Sequence, residues 1–470
     1  MLRYKVYQIV THKHFPYYAF ISSIFLYIGS FYILFNPPIF NITSFISENA
    51  LAPTLQLTHL DSIVSSTSLK DFSHYENSSI YYYYHKSPRT PNKDCICLLF
   101  TYNPGKIGVQ LALTTKKYIE NLGWSGDVLF VLYNKNKWAS EYREFHFKTL
   151  GKFGVIRSFF DLDIDERYSF LTIDPYGLNG IQTDLDQVQA VLTLIRKTSI
   201  DSKFPLPTKT SIGKIQYTLS SFHSIVFPDF NSPSAFLISQ GYVAIKILTV
   251  TYSQSSITNP LNICKLIELI IRAFTSLDEN LHAGYYFYFF TSPTHIMPLS
   301  KYAFITGAII SPLIFQAVLI LKQNWFDPAG MHNLVFPYLA CFSLYFISKT
   351  LNFPEILIFL PLICILLAKR SGKVFKAYSN LALATGIAVL SIWNFPLSIV
   401  ACVLVPFKVL IPAYRTQIGV FLVLGAGMAA FLAMPLKEIL EVEVETGHCV
   451  YFWVVCMMVP SLVHLGYLFR

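Results

Sequence analysis

Charge is what this sequence is short of. Only 13% of its 470 residues are Asp, Glu, Lys or Arg, whereas 53% are hydrophobic. That balance places it among membrane proteins rather than soluble enzymes. A cysteine framework is missing too. The eight cysteines show no regular pairing and no Cys-x-x-Cys, so neither a disulfide scaffold nor structural zinc is expected. Cys341, Cys364, Cys402 and Cys456 sit inside apolar runs, where cysteine behaves as a small hydrophobe. Cys95 and Cys97 share one face of a strand, which is poor geometry for a mutual disulfide. No internal repeat is evident, against the commonest transporter architecture. His223, His282 and His295 are isolated and read as structural. The net charge of +9 comes largely from basic residues at the ends of apolar runs, so no nucleic-acid patch is read.

What is present divides into four segments. Residues 1–16 form a basic N-terminus carrying Arg3, Lys5 and Lys13. Residues 17–35 are uncharged and just long enough to cross a bilayer. They read as an uncleaved signal anchor, because the run is too long for a signal peptide and lacks a small-x-small cleavage site. Residues 36–301 are the water-soluble interval, and residues 302–470 a membrane bundle of about seven helices. Its spans are read at Tyr302–Leu321, Leu334–Ser348, Phe353–Ala368, Tyr378–Trp393, Leu397–Ile411, Ile418–Met434 and Val450–Phe469. With the anchor they make about eight. Threading them alternately puts Lys322, Lys369, Arg370, Lys373, Lys376, Arg415 and Arg470 with the basic N-terminus, and only Lys349 and Lys437 opposite. This is the positive-inside pattern, with the soluble interval luminal. The sequons at Asn41 and Asn77 agree with a luminal side.

Within the soluble interval strands and helices alternate. Strands are read at Asp94–Phe100, Val128–Tyr133, Val155–Ile164, Tyr168–Ile173 and Tyr242–Thr251, and helices at Ile107–Asn121, Lys137–Leu150 and Asp184–Thr198. Continuous apolar strands separated by helices predict an α/β domain around a mostly parallel sheet. Lys203–Ser239, rich in Ser, Pro and Phe, gives no clear assignment. Tyr81–Tyr84 reads as an interface patch or as a strand with one wet face.

Several short motifs lie in order along this layout. They are Phe45-Ile46-Ser47-Glu48-Asn49-Ala50, Asp127 to Leu132, Gly177-Leu178-Asn179-Gly180 followed by Asp184-Leu185-Asp186, Glu279-Asn280-Leu281-His282 leading into Tyr285–Phe289, Asn394-Phe395 with Val405-Pro406, and Pro460. Their order and the topology resemble the Gaa-type subunit of glycosylphosphatidylinositol (GPI) transamidase. The resemblance implies residence in the endoplasmic reticulum membrane. It also implies a complex with other transamidase subunits, among them a caspase-like cysteine protease, and contact with the GPI lipid and with precursor proteins bearing GPI signals. It points to Asn394, Phe395 and Pro460 for the lipid, and to Ser47, Glu48, Asn49, Asn179 and Gly180 for a luminal site or subunit contact. No cofactor is implied.

The family's luminal domain is similar to zinc aminopeptidases, which need a His-x-Asp after one strand, a bridging Asp and a Glu-Glu after the next. Here those places read Thr101-Tyr102-Asn103 and Asn134-Lys135, and only Asp163 remains at a degenerate ligand position. One acid cannot make a dinuclear site. Asp161, Asp163 and Asp165 alternate along a strand and read as its solvated end rather than a cation site. The expectation is therefore an accessory, non-catalytic subunit. Against it stand a membrane-anchored zinc aminopeptidase-like hydrolase and a transporter. Whether the luminal domain itself catalyses amide formation is a question the residues leave open.

Overall fold

A computed structural model describes residues 15–35, 69–76, 78–88, 94–103, 105–120, 126–167, 170–198, 211–226, 232–250, 260–275, 288–292, 295–323 and 373–402, with single positions 228, 343 and 405. The chain divides into two compact units, one spanning Phe40–Ile296 and the other combining Met1–Ile39 with Met297–Arg470.

The first unit is built on a seven-stranded sheet. Its strands are β1 (Ser73–His74), β2 (Tyr81–His85), β3 (Cys95–Thr101), β4 (Asp127–Tyr133), β5 (Ile156–Asp163), β6 (Phe170–Asp174) and β7 (Ala244–Val250), in the order β1-β2-β4-β3-β5-β7-β6. The four central strands run parallel, and antiparallel strands close both edges. This is the mixed α/β domain with a parallel centre that the alternating pattern predicts. β3 and β4 are buried at every position, as the central strands of a sheet covered on both faces must be.

Helices α1 to α7 complete the count in chain order, α1 (Phe15–Phe35) belonging to the second unit. In the sheet unit α2 (Gly108–Glu120) joins β3 to β4 and α3 (Trp138–Thr149) joins β4 to β5. They are followed by α4 (Leu185–Lys197), α5 (Ser211–Val226), α6 (Pro233–Ser239) and α7 (Pro260–Thr275). α3 and α6 pack on one face, over Cys95, Cys97, Leu99, Leu129, Val131 and Phe159. α2, α4 and α7 associate on the other, where the Phe274 ring meets Phe160 edge-on at 4.8 Å. The segment without a clear sequence assignment thus supplies α5 and α6. A separate pair, β8 (Tyr288–Ser292) and β9 (His295–Pro298), comes next in the chain.

The second unit contains α1, α8 (Leu299–Gln323), α9 (Lys373–Trp393) and α10 (Phe395–Cys402). α8 packs against both α1 and α9. Two side-chain contacts set α8 antiparallel to α9: Tyr302 stacks on Phe395, just past the α9 C-terminus, at 4.2 Å, and Asn380 Nδ2 donates to Gln316 Oε1 at 2.7 Å. Among the described residues one stretch, Tyr302–Leu321, is long and apolar enough to cross a membrane; Phe20–Leu34 and Asn380–Ile392 are shorter apolar helices. The spans read at 334–348 (position 343 apart), 353–368, 418–434 and 450–469 lie outside the described residues.

Candidate functional site

One face of the sheet changes character along its strands. Toward the N-terminal ends it presents Cys95, Cys97, Leu99, Leu129, Val131, Phe159 and Ala244. Toward the C-terminal ends the same alternating positions become Thr101, Tyr133, Asp161, Asp163 and Lys246, all buried. Because side chains alternate along a strand, these five share that face. β3 lies between β4 and β5, so its outgoing crossover and the return to β5 pass on opposite sides. Sheets of this kind take ligands at such a switch point, outside the carboxyl ends of the strands.

Asp161 is satisfied at both oxygens. Tyr133 Oη donates to Oδ1 at 2.8 Å and Ser232 Oγ to Oδ2 at 2.7 Å. Thr101 Oγ1 in turn donates to Tyr133 Oη at 3.1 Å, and Ser234 lies 2.6 Å from Ser232. Burial raises the Asp161 carboxyl, and the nearby Lys246 ammonium and the two hydroxyl donors only partly offset it.

Asp163 is the hub. Lys106 Nζ lies 2.7 Å from its Oδ1, and Lys135 Nζ and Lys246 Nζ lie 3.2 and 3.4 Å from Oδ2. Lys106 also reaches Asp165 at 2.7 Å, whose Oδ2 accepts from Thr249 Oγ1 at 2.9 Å. Burial alone would push the Asp163 carboxyl up. Lys246, Lys106 and Lys135 outweigh it and hold the group down at about 2. The Asp triplet is therefore not a solvated strand end: Asp161 and Asp163 are buried, and lysines from three different segments neutralise the row.

The loops around the hub are tied to one another. Asn103 Oδ1 accepts from the Lys135 amide at 2.9 Å, and Asn134 Oδ1 from the Asn136 amide at 2.9 Å. The segments following β3 and β5 form a bridge at Lys106 and Asp165, flanked by Ile107 N–H to Ile164 O at 3.2 Å and Glu166 N–H to Gly105 O at 3.0 Å. Gly105 takes a positive φ of 80° there, which favours glycine.

These residues do not fit a pair of zinc ions. Where the peptidase resemblance calls for imidazole and carboxylate stand Thr101, Asn103, Asn134 and Lys135, and three ammonium groups already surround the one acid left. Any metal would meet their repulsion in a buried site where charge is weakly screened. Among the described residues no group of three His, Cys, Asp or Glu side chains could hold a metal ion.

A family model described as Gaa1-like, GPI transamidase component, matches residues 80–334, more than half of the chain. The chain belongs to this family. It is thus a component of a GPI transamidase, and the match runs from β2 through α8. Comparison with curated proteins finds no match.

The remaining family-implied positions are dispersed. Asn179 and Gly180 lie on a single 3-10 turn, Leu178–Gly180. Gly177 N–H donates to Ile181 O at 2.8 Å, and Gly180 O accepts from Gln182 Nε2 at 2.6 Å, so these groups are used within the turn. A Cβ at Gly177 would come 2.5 Å from Ile238 Cγ2, which makes this glycine a packing requirement against α6. Asp184 caps α4, its side chain accepting from the Asp186 amide. In the helical unit Asn394 and Phe395 are buried at the α9–α10 junction. Ser47, Glu48, Asn49, Asn41, Asn77 and Pro460 lie outside the described residues. Ser79, the third residue of the Asn77 sequon, gives both its amide, at 2.8 Å, and its hydroxyl to Glu141.

Sequence reading found Asp163 and Lys135 but missed Lys106, Lys246, Tyr133 and Ser232. A usable signal was present for Lys246. It is the lone charge in the apolar strand Ala-Ile-Lys-Ile-Leu-Thr-Val, and a charge buried in a central strand needs a partner.

Proposed function

We propose that this family member is an accessory, non-catalytic subunit of GPI transamidase in the endoplasmic reticulum membrane. Residues 17–35 anchor it and residues 36–301 form a luminal platform for other subunits, including the caspase-like protease. Residues 302–470 form the multi-pass bundle that receives the GPI lipid, with Asn394, Phe395 and Pro460 near the lipid. The observation that carries the reading is the Asp163 hub. Its ammonium groups stand where a hydrolase would need its metal, and they hold the Asp163 carboxylate already paired.

The test is GPI attachment to a reporter precursor in cells whose own subunit is replaced by Lys135→Gln. Lys135 is the most exposed of the three lysines, so its loss perturbs folding least. A platform predicts attachment near the wild-type level. Loss of attachment with the complex still assembled would overturn the reading and place chemistry at the hub.

A further inference from the structure

Helix α3 buries two polar groups that are left without partners. Tyr142 and His146 lie one turn apart on its inner face, their rings 6.1 Å from each other. The Tyr142 hydroxyl and His146 Nδ1 are both buried with no hydrogen-bond partner. A polar group buried in this way costs stability instead of adding it. The seam that holds α3 is therefore weaker than its apolar area alone would make it, and such seams open first.

His146 sits where α3 meets α6, β5 and the chain entering β7. Its ring meets Phe147, Phe236 and Tyr242 edge-on at 5.3, 5.8 and 5.1 Å, and Phe159 at 6.5 Å. The charged groups of the surrounding elements are engaged elsewhere or exposed. On α3, Glu144 is exposed and paired with Lys148, and Lys152 in the following turn is exposed. On β5, Arg157 pairs with Asp94, and Asp161 is held by Tyr133 and Ser232. On β7, Lys246 pairs with Asp163, and α6 carries no ionisable side chain. The Phe236 ring already faces a cation, the Arg143 guanidinium at 5.2 Å. A neutral imidazole suits these surroundings and an imidazolium does not. Protonation makes both ring nitrogens donors, and Nδ1 has no acceptor. Burial lowers the basicity of the ring accordingly.

We infer that His146 is an acid-sensitive latch, whose protonation releases the C-terminal turns of α3 from α6 and β5. The closed seam refuses the proton and the open one accepts it, so the latch is fully held above the ordinary histidine value of 6.5. It weakens as pH falls below that value. The sheet beneath stays closed, because β3 and β4 are buried at every position and do not depend on this ring. A domain latched in this way keeps its packed form only in a compartment near neutral pH.

The experiment is hydrogen exchange read by mass spectrometry on the full-length chain in mild detergent. It is run at about pH 7.5 and about pH 5.5, with exchange corrected for its intrinsic pH dependence. An open form that titrates at the ordinary value favours opening about tenfold more at one unit below it. Amides of α3 and α6 should therefore lose about tenfold in protection at the lower pH, while those of β3 and β4 hold. His146→Phe keeps a ring at the seam and removes the titration, so its α3 and α6 should lose none. Unchanged protection in the wild type, a loss shared equally by β3 and β4, or the same loss in His146→Phe overturns the latch. Should His146→Phe fail to accumulate, His146→Gln, uncharged at both pH values, takes its place.

Discussion

Lys246 and Asp163 meet across β5 and β7, Nζ to Oδ2 at 3.4 Å, with 3% and 6% of their side chains exposed. They are not direct register partners, since Lys246 pairs with Asp161 and Asp163 with Leu248. The ammonium therefore reaches diagonally along the sheet face. A buried charge left alone costs far more than an exposed one, and this geometry separates the roles of two neighbouring carboxylates.

Asp163→Asn takes from the buried Lys246 the carboxylate 3.4 Å away and should destabilise the sheet unit by about 3 kcal/mol, at the low end for breaking a buried pair. In thermal unfolding of the full chain in mild detergent that is a drop of roughly 8 °C. Asp161→Asn should cost less, about 1 kcal/mol, because Tyr133 and Ser232 bond it through hydroxyls, Ser232 can turn to accept, and the nearby Lys246 keeps Asp163. Equal losses at the two positions would refute the division of labour.

Acid should act through Asp163 in a defined window. Its folded-state value, about 2, lies below the ordinary 3.8, so between these values the unfolded chain binds the extra proton. The contribution is about 2 kcal/mol. It is fully present above pH 4 and lost as pH falls from about 4 to about 2. Asp161 runs the other way. Its raised value means that its contribution is present at low pH and declines as pH rises through that value. Unfolding followed between pH 2 and 5 should therefore show a steeper acid loss in wild type than in Asp163→Asn.

Gly177→Ala drives a methyl group against Ile238 Cγ2 and Cβ, at 2.5 and 2.7 Å. Overpacking of this kind costs about 1–3 kcal/mol. Combining it with Ile238→Ala should recover part of that cost, giving a coupling of about 1 kcal/mol in a double-mutant cycle. Purely additive effects would mean that the glycine serves something other than packing.

In the helical unit Phe395→Ala removes the ring stacked on Tyr302 and should cost about 3 kcal/mol. Asn380→Leu, which breaks the hydrogen bond to Gln316, should cost only about 1 kcal/mol. Thermal stability of the detergent-solubilised chain orders the two. Reversal of the order would place the dominant α8–α9 tie at the amide pair.

Pro460→Leu is expected to leave subunit assembly intact while lowering the GPI recovered with the purified complex. Unchanged GPI recovery would remove Pro460 from the lipid site.

The parallel strands were legible because each is a short apolar run bounded by turn residues, and β3, β4, β5 and β7 fall within a residue or two of the reading. Helix α7 was missed, although Pro260 at its start and the stripe Ile263, Ile267, Ile270 and Phe274 carry the helical period. Its signal sat between segments without clear pattern. α5 and α6 were hidden by Ser and Pro, which resemble a loop until Pro233 is recognised as a helix start. The acidic row was misjudged for another reason. Alternation correctly put Asp161, Asp163 and Asp165 on one face. Whether that face is wet depends on Lys106, Lys135 and Lys246, each distant in sequence, which no local pattern contains.

Lys106 links Asp163 and Asp165, its Nζ 2.7 Å from a carboxylate oxygen of each. The counter-charges described at this crevice, Lys106, Lys135 and Lys246, are side chains of the chain itself. Occupancy of these positions should therefore not change with the amount of free metal in the compartment.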